Sequence, residues 1–177
     1  MILFNLWSIL LNNCIFTKNI ILYTFHRTQK LPITLEQAWD FFSDPKNLKT
    51  ITPEYMGFDI IAGADRRMYP GQIIEYRVSP LLGIKTKWVT EITHVVPNEY
   101  FVDEQRFGPY TLWHHKHFFS AIENGVAMED LIHYKAPMGA LGSLFTPLIV
   151  TPKLEEIFNY RTQKLTEMFG SYSWKIY

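Results

Sequence analysis

The chain of 177 residues carries 17 basic and 17 acidic side chains with no long basic stripe, which argues against nucleic acid and anionic membrane as partners. Hydrophobic residues make up 47% and aromatics 16%, a load that a disordered chain could not hide and that a single domain of this length can bury. Cys14 is the only cysteine, which excludes an internal disulfide framework and any CxxC motif and fits a soluble cytoplasmic protein.

Met1 to Asn19 is mostly apolar but broken by Asn5, Ser8, Asn12 and Asn13, too short and too polar for a span of ~20 apolar residues. It lacks the positive start and small-residue cleavage site of a signal peptide. It is read as an N-terminal extension packed loosely on the domain, or as the product of a start assigned too far upstream. Residues 20–177 are then one domain.

Ile20 to Thr28 is rich in β-branched and aromatic residues and predicts a first strand, closed by Pro32. Thr34-Leu35-Glu36-Gln37 has the capping-box pattern, and Leu35, Ala38, Trp39 and Phe42 give the helix that follows one apolar face. Asp44-Pro45 restarts a second short helix that must stop before Pro53. From there the period changes to alternation. Met56 to Ile61, Gln72 to Ser79, Lys85 to Val96, Glu99 to Phe107, Tyr110 to Glu123 and Val126 to Ala136 predict six strands separated by turn residues. Short loops between them make an antiparallel meander, curved if one face wraps a core.

Met138 to Pro152 predicts a broken helical turn, with Gly139 and Gly142 for close packing, and a long helix runs from Lys153 to about Gly170. Leu154, Ile157, Phe158, Leu165, Met168 and Phe169 form its apolar stripe, and Arg161 falls about 20° from Leu154 in the middle of it. Since Arg161 cannot shed its charge, a carboxylate, a ligand anion or water must meet it, and a pair with Asp130 is preferred.

The chemistry-bearing stretch is Gly108 to Phe119. Alternation sends Trp113, His115, His117 and Phe119 to one face of a strand. A two-residue turn at Asn124-Gly125 would set Phe119 opposite Asp130, His117 opposite Ile132, His115 opposite Tyr134 and Trp113 opposite Ala136. The inner face then holds Trp113, His115, His117, Phe119, Met128, Asp130, Ile132, Tyr134 and Ala136. The outer one holds His114, Lys116, Glu129, His133 and Lys135, a solvated cluster. For His115 and His117 three readings stay open: hydrogen-bonded wall residues, which is favoured; contacts to a bound small molecule; and metal ligands, with Asp130 or His94 as the third. No metal and no cofactor are expected. No nucleophile elbow or phosphate loop is present, while proton transfer by His117 with Asp130 is chemically open.

Leu31-Pro32 through Phe41 to Leu48 with Ile51-Thr52-Pro53, then Gly108-Pro109-Tyr110 with Trp113, His115, His117 and Phe119, and finally Ile157 to Arg161 resemble a bacterial ligand-binding branch of the START-like (SRPBCC) superfamily. The element order is similar to its helix-grip fold, an α+β architecture with a seven-stranded antiparallel sheet curved around a C-terminal helix. The resemblance implies a cavity between sheet and helix, used in that superfamily for lipids, polyketides, hormones and quinones. Ligand contacts are expected from Trp88, Trp113, His115, His117, Phe119, Asp130, Ile132, Tyr134, Leu154, Phe158, Arg161 and Leu165. Binding without catalysis is the first reading. The alternatives are a cyclase or dehydratase using His117, His115 and Asp130, and a module that binds a protein partner through the outer basic cluster.

Overall fold

A computed structural model describes residues 22–79, 83–137 and 146–173. Strand β1 (Tyr23–Leu31) leads into helix α1 (Leu35–Phe42) and 3-10 turns at Pro45–Lys49 and Glu54–Met56. Six strands follow: β2 (Asp59–Ala62), β3 (Gln72–Val78), β4 (Thr86–Val96), β5 (Tyr100–Phe107), β6 (Leu112–Ile122) and β7 (Gly125–Lys135). A π-helical turn at Thr146–Val150 then runs directly into helix α2 (Thr151–Phe169). The seven strands form one antiparallel sheet in the order β1-β7-β6-β5-β4-β3-β2, so α1 and the short turns carry the chain from one edge to the other.

Local chemistry sets the boundaries. Thr34 caps α1 as its sequence requires: the Gln37 amide donates to the Thr34 hydroxyl at 3.2 Å, and the Thr34 amide donates to the Gln37 side chain at 2.9 Å. The Asp44 carboxylate accepts from the Lys46 amide at 3.0 Å ahead of Pro45, giving a 3-10 rather than an α turn. Strand β2 begins later than the sequence predicts, because Glu54–Met56 winds into a turn that Gly57 ends in the left-handed region (φ 54°). Strand β6 also starts late. The Gln105 side chain bonds both the amide (3.2 Å) and the carbonyl (2.6 Å) of Tyr110, which holds the Gly108-Pro109 loop away from the ladder and turns the Tyr110 ring inward. The first strand sits at Tyr23–Leu31 rather than Ile20–Thr28. Residues 1–21 and the glycines at 139 and 142 lie outside the described residues.

Alternation holds in the sheet: Val126, Met128, Asp130, Ile132 and Tyr134 of β7 are all buried, with half-buried residues between them. Helix α2 lays Leu154, Phe158, Arg161 and Leu165 on the concave face, whereas Met168 from the predicted stripe is largely exposed. The helix is fixed against β1 by Phe25 on Phe158 (ring centroids 4.7 Å) and by the Gln29 side chain donating to the Thr162 carbonyl at 3.1 Å. Two apolar clusters flank the centre of this face. One gathers Trp39, Phe42, Phe101, Phe119 and Leu165; the other gathers Phe25, Tyr110, Ile132, Tyr134 and Phe158.

The β6–β7 register differs from the sequence expectation by two residues: Phe119 faces Met128, His117 faces Asp130, His115 faces Ile132 and Trp113 faces Tyr134. The turn residues are Glu123 and Asn124, with Asn124 in the left-handed region (φ 56°), while Gly125 already belongs to β7. Gly125 is small for a different reason. A Cβ there would lie 2.3 Å from the Leu31 carbonyl oxygen of the neighbouring β1. A shift of two preserves which face each side chain takes, so the predicted inner face stands although every partner changes.

Candidate functional site

A buried polar group forms where β5, β6, β7 and α2 meet. His117 is directly opposite Asp130 on one side and Phe101 on the other, and His115 is opposite Asp103. Asp130, 1% exposed, places Oδ1 at 2.9 Å from both His115 Nε2 and His117 Nδ1. The contact to His115 is an aligned hydrogen bond, whereas that to His117 is out of line and leaves Nδ1 without a well-formed bond. Asp103 Oδ2 lies 2.9 Å from His117 Nε2 and 3.5 Å from His115 Nδ1. Ionised carboxylates only accept, so His115 Nε2 and His117 Nε2 carry hydrogens. The two imidazoles are tilted by 38° with centroids 3.7 Å apart, and Phe101 stacks on His117 at 4.1 Å.

Arg161 reaches this group from α2, its Nη1 3.6 Å from Asp130 Oδ1 and its guanidinium carbon 4.5 Å from the Phe158 ring centre. Two carboxylates therefore face one guanidinium and two imidazoles whose separation of 3.7 Å disfavours charging both. Burial and the neighbouring His117 push the His115 pKa down. Burial acts the same way on His117, but the hydrogen bond to Asp103 and the charges of Asp130 and Asp103 outweigh it and raise its pKa. Burial would raise both carboxyls, yet the imidazoles hold Asp130 and Asp103 below the usual carboxylate range. Protonation of His117 alone would bring the group to zero net charge.

A cavity of about 170 Å³ opens beside it. Tyr76, Val78, Trp88, Thr90 and Ile92 of β3 and β4 form its floor, and Val150, Leu154, Ile157 and Phe158 its roof. Phe41, Leu48, Ile51, Met56 and Phe58 close one end. Tyr110 and Trp113 pack against Trp88 in an aromatic corner, with centroids 5.6 and 5.2 Å away. Asp103, His115, His117 and Arg161 supply a polar wall.

Of the predicted contact residues, Trp88, Trp113, His115, His117, Leu154, Phe158 and Arg161 line this cavity. Phe119, Asp130, Ile132, Tyr134 and Leu165 are instead packed behind it. Phe119 lies against Trp39 and Phe42, Leu165 belongs to the same cluster, Ile132 sits in the cluster of Phe25, and the Tyr134 hydroxyl pairs with Thr151 at 2.9 Å. Asp130 acts through the imidazoles it holds. Asp103 was missed, although alternation from inward Phe101 would have found it. The contribution of the residues around Leu48 to Phe58 had no periodic signal. The outer cluster is half-buried and partly neutralised, with His114 at 3.0 Å from Glu104 and Glu129 at 2.9 Å from His26.

His94 is exposed and contacts Thr93, so it is not the third member of a His-x-His set. Asp103, His115 and His117 do present donor atoms within 4.8 Å of one another. Here each carboxylate already takes one nitrogen from each ring, Asp103 at 2.9 and 3.5 Å and Asp130 at 2.9 Å from both.

This architecture is a helix-grip fold: a curved seven-stranded antiparallel sheet closed over a long C-terminal helix, with one short α-helix and two 3-10 turns after the first strand. No known protein-family model and no curated protein matches the chain. Solved structures do. Protein Ms6760 from Mycobacterium smegmatis is 17% identical, with a TM-score of 0.59 over 82% of this chain and 92% of its own. Protein CV1439 from Chromobacterium violaceum is 13% identical, with a TM-score of 0.63 over 84% and 98%. The major latex-like protein 151 of Panax ginseng is 9% identical, with a TM-score of 0.56 over 84% and 97%. At these identities the likeness concerns the fold. No helix among the described residues is long and apolar enough to cross a membrane.

Proposed function

We propose that this protein binds a compact apolar small molecule in the cavity between its sheet and α2, without acting on it. The observation that carries this reading is an interior that its own side chains leave open, by about 170 Å³ lined mainly by aromatic and aliphatic groups. A dry apolar cavity of ~150 Å³ accommodates one benzene ring. The occupant is therefore a single ring or a short branched chain, smaller than the lipids and extended polyketides that the superfamily resemblance suggested. A soluble, cytoplasmic setting, suggested by Cys14 as the only cysteine, belongs to the same reading.

Native mass spectrometry of protein purified from its own host should show a mass excess that disappears on denaturation. A bare protein that also fails to take up single-ring probes would refute the reading. One observation favours a second reading, proton transfer: two imidazoles, each hydrogen-bonded to a carboxylate, stand on the cavity wall. It requires deuterium uptake from D2O into a bound carbonyl compound and its loss in His117→Gln.

A further inference from the structure

Among the described residues, the buried side-chain atoms without a well-formed hydrogen bond are Arg27 Nε, Ser43 Oγ, His117 Nδ1 and Arg161 Nε. Only His117 and Arg161 of these line the cavity, and His117 Nδ1 has Asp130 at 2.9 Å. Arg161 is different. Its side chain is 9% exposed, its ion pair with Asp130 is long at 3.6 Å, and Nε meets no protein acceptor. A guanidinium has five N–H donors and keeps its charge under all ordinary conditions, so one enclosed at a cavity wall needs an oxygen to accept from it.

Charge decides which oxygen. Asp103 and Asp130 already set two carboxylates against one permanent cation, Arg161, so a ligand anion would add a third negative charge to the enclosed group. A neutral acceptor leaves the balance intact and satisfies the donor.

Resting on the binding reading above, we propose that the ligand presents a ketone-type carbonyl oxygen to the Arg161 guanidinium, with its apolar body directed into the aromatic cavity. The donor selects an oxygen acceptor, the charge balance selects a neutral one, and the volume limits the body to about one ring.

The test uses three probes of nearly equal size, acetophenone, cumene and benzoate, titrated by calorimetry into the full chain and into Arg161→Met. Acetophenone and cumene should both bind the wild type. The ketone-to-hydrocarbon affinity ratio should fall about tenfold in Arg161→Met, while cumene affinity holds. An unchanged ratio overturns the assignment to Arg161. Benzoate binding more tightly than acetophenone overturns the charge argument in favour of an anion site. If neither neutral probe binds, the binding reading itself falls. Should Arg161→Met fail to fold, the Arg161 Nε–H resonance of the wild type decides: it should move with acetophenone and not with cumene, and equal responses to both would overturn the proposal.

Discussion

Replacing Asp130 by Asn keeps the shape of the side chain and removes the charge on which the buried group depends. The Asp130–Arg161 separation of 3.6 Å corresponds to about 4–5 kcal/mol of attraction at an effective dielectric near 20. The carboxylate also accepts from His115 and stands 2.9 Å from His117 Nδ1. Asp130→Asn strands Arg161 in the interior and leaves His117 with Asp103 alone, and breaking a buried pair from one side costs about 3–5 kcal/mol. For a chain of this length that is a fall of about 6–20 °C in melting temperature. Urea denaturation at pH 7 and thermal melts followed by circular dichroism would measure it. The sign with pH follows from the depressed carboxyl: its stabilisation is present above the ordinary carboxylate pKa and is lost as pH falls through the lowered folded-state value. Asp130→Asn should therefore flatten part of the acid limb while lowering stability at neutrality. The double change Asp130→Leu with Arg161→Met should recover much of the loss, since an apolar pair substitutes well for a buried ionic one. A melting temperature for Asp130→Asn within about 2 °C of wild type would refute the idea that this carboxylate carries the charge balance.

Three further outcomes follow from the geometry. In an NMR titration His117 should gain its proton above the ordinary histidine range and His115 below it; His117 stabilises at low pH and loses that contribution as pH rises through its raised value, while neutral His115 weakens the fold as pH falls below the ordinary pKa. The reverse order would contradict this assignment. Leu165→Ala, at a fully buried position away from the cavity, should cost about 2–5 kcal/mol in urea denaturation and leave the affinity for single-ring probes within about twofold. Gly125→Ala should destabilise by about 1–3 kcal/mol, because the added methyl meets the Leu31 carbonyl and β1 must move aside; wild-type stability would show the approach to be looser than described.

The sequence exposed the inner face of the sheet because strand alternation depends only on the period of two, and it exposed Arg161 because the helical angle depends only on spacing. Thr34 and Gln37 announced their helix start through a purely local pattern. The register failed where two roles for one residue compete. Asn-Gly signals a hairpin turn, but Gly125 is demanded by the adjacent strand, which no local reading contains. Asp103 was hidden for a related reason, since its value lies in pairing opposite His115, a relation between chain segments. The distinction between Trp88, which lines the cavity, and Tyr134, which lies behind it, depends on where packing leaves space. That is a property of volumes summed over the whole fold.

The order of the strands also constrains how the protein comes into being. β1 finds its hydrogen-bonding partner in β7, near the far end of the sheet-forming sequence, and the roof of the cavity is α2, which follows still later. Closing this one distant pairing is slow relative to the five between consecutive strands, because the long loop must be ordered before its contacts repay that cost. During synthesis β1 must wait, unpaired, until nearly the whole chain has emerged. The binding chamber is thus among the last features to exist, and capture of its ligand is an event of the finished molecule rather than of the nascent one.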